Sequence, residues 1–195
     1  MANIQKYVTL IRIHHYIKNL LVFAALACSG QLFDIDKLMS AFLGFSAFCM
    51  ISSFVYIVND IQDKEKDRLH PTKCKRPIAS GEISEKNAWI LAGILFISSL
   101  FCNFLVFHIV SSVLLFLYFI LNLAYCFGLK NVPLVDVSIL AAGFLFRMIY
   151  GSIITCIEIS NWLYLTVIAL AFCFSMGKRR NELVHVDSGG GGVYT

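Results

Sequence analysis

The sequence predicts an all-α fold, a polytopic transmembrane helical bundle. Three observations carry that prediction. Hydrophobic residues make up 58% of the chain and charged residues only 14%, where a soluble domain carries about a quarter. The mean hydropathy is +0.76. The apolar residues gather in runs of about 20, long enough to cross a bilayer as helices. They do not alternate with polar residues as the strands of a membrane barrel do.

Taken in order, the N-terminal stretch MANIQKYVTLIRIHHYIKN carries charges but no cleavage site followed by a soluble domain. It reads as an interfacial helix leading into the membrane rather than as a cleaved signal. Six spans are expected, at roughly 17–33, 38–58, 87–107, 109–128, 134–157 and 160–177. The first is short in its polar-free part, so it is expected to be tilted or partly interfacial. The third and fourth are separated only by Phe107, His108 and Ile109 and should form a tight hairpin. Pro133 marks the start of the fifth. Glu158, Ser160 and Asn161 mark the turn into the sixth. After Asp187 and Ser188 come four consecutive glycines, which cannot sustain a helix. Residues 1–183 are therefore expected to form one membrane-embedded domain, and 184–195 a disordered or aberrant tail. No internal repeat is evident.

Lys and Arg placement sets the orientation. Lys6, Arg12, Lys18, the seven bases from Lys64 to Lys86, Lys130, Lys178, Arg179 and Arg180 all fall on the side of the N-terminus. Lys37 alone falls on the other side, and Arg147 lies inside the fifth span. The N-terminus and the charged loops should face the cytoplasm, in an inner (plasma) membrane. Six of the seven cysteines lie in apolar runs, where Cys acts as a small hydrophobe. Neither disulfides nor zinc are expected.

The densest chemistry lies at 59–81, NDIQDKEKDRLHPTKCKRPIASG. On a continuous helix Asp60, Asp63 and Asp67 share a stripe about 60° wide. Like charges so placed repel by a few tenths of a kcal/mol per pair. A bound Mg²⁺ reverses that sign, since magnesium takes oxygen ligands from one or two carboxylates plus substrate phosphates. Asn59 adds a neutral oxygen. The alternative is a solvated charged loop that only enforces topology. Pro71, Pro77 and Gly81 end the helix near Leu69. Lys73 and Arg76 then sit in a constrained loop beside the stripe, where Arg grips phosphate through its fork and Lys acts as a point charge. A simple positive-inside anchor is the alternative for these two.

Arg147 is the other singular residue, because a lone Arg in a span costs at least a few kcal/mol unless it is paired or faces a polar cavity. Asp136 lies about 20° away around the same helix and about 16 Å along it. Both are read as lining one polar cavity. The alternative is snorkelling or a structural pairing of Arg147 with another buried polar group. Tyr118, Asn122 and Tyr125 add polar groups on one face of the fourth span, with ordinary interhelical hydrogen bonding as their alternative.

N-D-x-x-D-x-x-x-D followed by R-P-I-A-S-G resembles the first signature of the UbiA-type intramembrane prenyltransferases. That resemblance implies a nine-span helical fold, Mg²⁺ and a diphosphate-bearing small molecule as substrate. His70-Pro71-Thr72-Lys73 ahead of Arg76 is more similar to one branch, the decaprenyl-phosphate phosphoribosyltransferases. Arg12 to Asn19 is similar to that branch's R-P-x-Q-W-x-K-N, with Ile13, His15 and Tyr16 replacing Pro, Gln and Trp. The segments Tyr125–Lys130 and Val132–Val137 resemble its stretch between spans four and five. Gly177-Lys178-Arg179 with Glu182-Leu183 looks like its G-K-R-Y-A-E-L, where aromatic prenyltransferases of the superfamily carry a second D-x-x-x-D. Two cations there suit a phosphate better than a second metal.

The resemblance covers about residues 10–183 and implies some three further spans beyond them, so the domain is expected to be incomplete. It implies transfer of a phosphoribosyl group from 5-phosphoribosyl 1-diphosphate to a polyprenyl phosphate. Asp60, Asp63 and Asp67 would hold Mg²⁺ on the donor diphosphate. Lys73, Arg76, Lys130, Lys178 and Arg179 would clamp phosphates. Lys18, Asn59, Tyr125, Arg147 and Glu182 complete the expected substrate-binding set. The expected partners are the lipid bilayer, an isoprenoid lipid substrate and the diphosphate donor, with no nucleic acid. Two alternatives stay open: an aromatic (4-hydroxybenzoate-type) prenyltransferase, and an inactive membrane fragment.

Overall fold

A computed structural model of the chain describes residues 2–129 and 133–187. Helix α1 (Ala2–Ile11) ends where Arg12 turns into the left-handed region at φ 57°. A 3₁₀ helix follows over Ile13–Phe23 and continues as α2 (Ala24–Cys28). Eleven residues is long for a 3₁₀ helix, which rarely exceeds one turn. Helix α3 (Ile35–Gln62) is started by Asp34, whose carboxylate accepts from the Lys37 amide at 3.3 Å. The chain kinks at Asp63 and resumes as α4 (Lys64–Leu69). That helix stops at an extended His70, because the residue before Pro71 is pushed out of the helical region.

Helix α5 (Glu85–Val106) begins at Ser84, whose Oγ accepts from the Asn87 amide at 3.3 Å. Phe107, left-handed at φ 56°, and an extended His108 make the tight turn into α6 (Ile109–Cys126), as the spacing predicts. Helices α7 (Pro133–Thr155) and α8 (Asn161–Asp187) complete the described chain. Helix α8 continues four residues past the boundary expected at 183. Residues 188–195, the rest of the expected tail, lie outside the described residues.

The all-α membrane class holds. Among the described residues four helices are long and apolar enough to cross a bilayer: Ile35–Gln62, Glu85–Val106, Ile109–Cys126 and Val135–Thr155. The other two expected spans occur as shorter apolar helices, Ile13–Cys28 and Asn161–Gly177. Helix α3 is the axis of the bundle, with 61% of its apolar window buried against 17% for α5 and 22% for α6. Helices α5 and α6 therefore turn most of their apolar surface outward, as lipid-facing helices do.

Two packed clusters hold the bundle. Val22, Phe48, Ile51, Leu115, Tyr118 and Tyr150 join the 3₁₀ helix, α3, α6 and α7. Leu10, Ile57, Ile78, Ile83, Ala88 and Ala92 join α1, the loop after α4, the end of α3 and the start of α5. The second cluster lies directly beneath the charged segment. It pins both chain stretches that deliver arginines to that segment. Where α7 crosses the 3₁₀ helix, a Cβ on Gly151 would lie 1.9 Å from the Val22 carbonyl oxygen. The two backbones touch there, and only glycine permits it.

Candidate functional site

The charged segment folds into a compact ion network. Asp60 lies in the last turn of α3 and Asp67 within α4, and they are 2% and 3% exposed. The Arg76 Nη1 donates to Asp67 Oδ2 at 2.5 Å and to Asp60 Oδ1 at 3.1 Å. The Arg12 Nη2 donates to the same Asp60 oxygen at 2.6 Å. Two carboxylates thus face two guanidiniums, and one Asp60 oxygen accepts from both. Arg76 is placed there by its loop: it is held extended by Pro77, and Ile78 is buried in the cluster below. Arg12 is placed by its left-handed backbone, and its guanidinium stacks 5.0 Å from the centre of the Tyr56 ring, one turn before Asp60. The Tyr16 hydroxyl is 2.8 Å from Ser53 Oγ, and the Ser53 hydroxyl donates to the Ile11 carbonyl at 2.9 Å. These bonds fix the start of the 3₁₀ helix against α3.

Around this core, Lys64 pairs with Glu85 at 2.6 Å and Lys6 with Glu82 at 3.7 Å. Arg68 donates through Nε to the Ala79 carbonyl at 3.2 Å and pairs with Glu65 at 3.0 Å. Lys73 is exposed, next to a turn in which His70 Nδ1 accepts from the Thr72 and Lys73 amides.

The structure revises the carboxylate stripe. The helix is not continuous, because Asp63 is the hinge residue between α3 and α4. Among the described residues no three His, Cys, Asp or Glu side chains come close enough to hold a metal ion together. Asp60 and Asp67 do converge, and the shared Arg76 nitrogen marks a cation position between them. Hard carboxylate oxygens at such a position fit Mg²⁺, which needs only one or two protein carboxylates when substrate phosphates fill the rest. Asn59 and Asp63 border the same corner, and Asn59 and Lys18 are half-buried.

The other expected residues fall elsewhere. Tyr125 donates to Asp136 Oδ1 at 2.8 Å, tying α6 to α7. Arg147 is buried, 6% exposed, and spends its fork on protein. Its Nε donates to Asn19 Oδ1 at 2.6 Å, Nη1 to the Gly143 carbonyl at 2.5 Å, and Nη2 to the Tyr118 hydroxyl at 2.8 Å. Tyr118 in turn lies 3.1 Å from Ser52 Oγ. Arg147 therefore braces the 3₁₀ helix, α6 and α7, which matches the structural alternative for this residue. Lys130 lies outside the described residues, and so do the side chains of Lys178, Arg179 and Glu182, whose backbones fall on α8.

Arg12 is the participant that the expected site did not include. Its only sequence signal was its place at the head of Arg12–Asn19. The partner it meets is 48 residues away.

A helical membrane bundle with a buried acid–arginine network at one end defines a class: an intramembrane protein built to hold charged groups beside lipid. The comparison with protein families makes it definite. Residues 20–179 match the UbiA prenyltransferase family, and the chain belongs to that family. It is 39% identical over 177 residues to the decaprenyl-phosphate phosphoribosyltransferase of Mycolicibacterium smegmatis, covering 89% of this chain and 55% of that protein. It is 34% identical over 183 residues to the protein of that name from Corynebacterium glutamicum, covering 92% of this chain and 55% of the other. The chain spans about half the length of the curated relatives it matches. Among solved structures, a UbiA homolog from Archaeoglobus fulgidus bound to GPP and Mg²⁺ superimposes with a TM-score of 0.72 at 26% identity, over 87% of this chain and 60% of that one.

Proposed function

We propose that this chain forms the catalytic end of a Mg²⁺-dependent transferase. It would move a phosphoribosyl group from 5-phosphoribosyl 1-diphosphate to a polyprenyl phosphate. The observation that carries the reading is the convergence of Asp60 and Asp67 on one cation position. It occurs in a chain 39% identical to a phosphoribosyltransferase. Mg²⁺, when bound, supplies charge neutralisation to the departing diphosphate. Asp60 and Asp67 would hold it, with Asp63 and Asn59 completing the oxygen set. Arg76 and Lys73 sit on the same loop and would bind diphosphate oxygens, holding the donor so that its C1 faces the acceptor. An acceptor phosphate oxygen then bonds to C1 as the C1–O bond to diphosphate breaks. The diphosphate leaves with that electron pair, stabilised by the fixed positive charge around it. No general base is required, because the attacking phosphate is already anionic. The outward apolar faces of α5 and α6 would leave the isoprenoid chain in lipid. Lys130, Lys178, Arg179 and Glu182 are proposed to serve the second phosphate group.

The charged end is proposed to face the cytoplasm of a plasma membrane. The pairs Lys6–Glu82, Arg12–Asp60 and Lys64–Glu85 gather the N-terminus and the basic loop at one end of the bundle, and Lys and Arg collect on the cytoplasmic side.

Membranes carrying the chain, given labelled phosphoribosyl diphosphate and polyprenyl phosphate, should move label into the organic phase only with Mg²⁺. The structural likeness to a homolog bound to GPP favours a second reading, transfer of an isoprenoid to an aromatic acid. Label moving from geranyl diphosphate to 4-hydroxybenzoate, with none from the sugar donor, selects it. No transfer from either donor contradicts both readings.

A further inference from the structure

Asp60 Oδ1 accepts from Arg12 at 2.6 Å and from Arg76 at 3.1 Å, and Asp67 Oδ2 accepts from Arg76 at 2.5 Å. These oxygens border the cation position of the proposed metal site. Two guanidiniums already take up the lone pairs of Asp60 Oδ1, and a divalent cation placed beside them is repelled by both. Metal binding at that position is therefore opposed for as long as the arginines stay on the carboxylates. Arg12 and Arg76 are only 19% and 26% exposed as side chains, so a displaced guanidinium needs a new anion nearby rather than water alone. A diphosphate on the metal is such an anion, and its oxygens match the arginine fork.

Resting on the functional reading above, we propose that Arg12 and Arg76 are exchange residues. They are counter-ions of Asp60 and Asp67 when the diphosphate is away, and clamps on the diphosphate when it arrives with its metal. Three features support the exchange. Arg12 sits on a left-handed hinge between α1 and the 3₁₀ helix, so its side chain turns without unwinding a helix. The ring of Tyr56 lies under its guanidinium and gives it a surface to pivot on. Arg76 follows a short 3₁₀ turn and precedes a proline, so its backbone is fixed while its side chain keeps some contact with solvent. The consequence is a binding order. Metal alone competes with two arginines and binds weakly. Metal and diphosphate bind together, each strengthening the other, because the diphosphate removes the competitors. Such coupling is reciprocal by thermodynamic necessity. It would keep the site from filling with free Mg²⁺ before its donor arrives.

The test uses the full chain in lipid nanodiscs, with Mn²⁺ read by electron paramagnetic resonance and inorganic pyrophosphate read by calorimetry. Wild type should bind Mn²⁺ alone weakly, and about tenfold or more tightly once pyrophosphate is present, within the range of ordinary coupling. Arg12→Gln and Arg76→Gln should tighten Mn²⁺ alone by about threefold or more and weaken pyrophosphate at saturating Mn²⁺ by about tenfold, since a charge-assisted fork is lost. Opposite signs on the two ligands are the signature, which a merely structural role for the arginines does not give. Arg12→Lys keeps the charge and the stem, serves if a Gln variant fails to fold, and should show the same two signs at smaller size. Equal Mn²⁺ affinity with and without pyrophosphate, or arginine variants that weaken both ligands together, overturns the exchange. Wild type binding neither probe overturns the metal reading beneath it instead.

Discussion

At the residue scale, one carboxylate oxygen organises the charged end. Asp60 is almost wholly buried, and its partners come from segments 48 and 16 residues away. Removing one member of such a network strands the others. A buried ion pair broken on one side costs about 3–5 kcal/mol. Arg76→Ala should fall at the lower end, about 3 kcal/mol, because Arg76 keeps some contact with solvent. Asp60→Asn with Arg76→Ala should cost less than the sum of the two single changes. Thermal midpoints in detergent measure both. The spacing N-D-x-x-D-x-x-x-D with R-P-I-A-S-G was enough to place Asp60, Asp67 and Arg76 in one neighbourhood. Arg12 was not legible as a partner, because no periodicity links residues on two helices. Arg147 was legible as singular, with a structural pairing as its alternative, but its partners were not legible. Its three acceptors, Asn19, Gly143 and Tyr118, are neutral, and neutral acceptors leave no charge pattern in a sequence.

At the element scale, the bundle depends on a backbone contact that hydropathy does not register. Gly151 of α7 lies against the Val22 carbonyl of the 3₁₀ helix. Gly151→Ala should force the two apart and cost about 3 kcal/mol, the upper range for overpacking. Gly93, in α5 with nothing near its missing Cβ, is the control. Gly93→Ala should be neutral or slightly stabilising, since alanine favours the helix by up to about 1 kcal/mol. Protease-resistance midpoints of the two variants compare them directly. Four of the six expected spans were readable from length and apolarity, and the α5–α6 hairpin was readable from the three residues between its helices. The first span was expected to be short and tilted or partly interfacial, and its 3₁₀ form was not legible. It is 3₁₀ over Ile13–Phe23, since Tyr16, Asn19 and Val22 are each tied to α3 or α7, and tertiary contacts override local propensity. The kink at Asp63 also went unseen, because neither proline nor glycine marks it.

At the scale of the whole molecule, the bundle has a largely apolar body, braced by Arg147, and gathers most of its charge around the basic loop. That division suits the proposed transfer between a water-soluble donor and a lipid acceptor. Orientation is checked at Cys74, which lies in the basic loop beside Lys73 and Lys75. A membrane-impermeant thiol reagent should label Cys74 in inverted vesicles and leave it unlabelled in intact cells. Labelling from the outside alone reverses the topology. The class of the molecule and the location of its charged end were legible from composition and one motif. The proposed second phosphate site rests on a resemblance at Lys178, Arg179 and Glu182, whose side chains lie outside the described residues. The central claim is that the charged end holds a diphosphate donor through Asp60 and Asp67, and that this donor carries ribose. Calorimetric titration of the purified chain with 5-phosphoribosyl 1-diphosphate tests it most directly. Binding should require Mg²⁺ and should weaken about a hundredfold or more in Asp60→Asn, as expected when one of two metal-holding carboxylates is lost. Tight binding of geranyl diphosphate with none of the sugar donor, or sugar-donor binding indifferent to Mg²⁺ and to Asp60, would contradict the account.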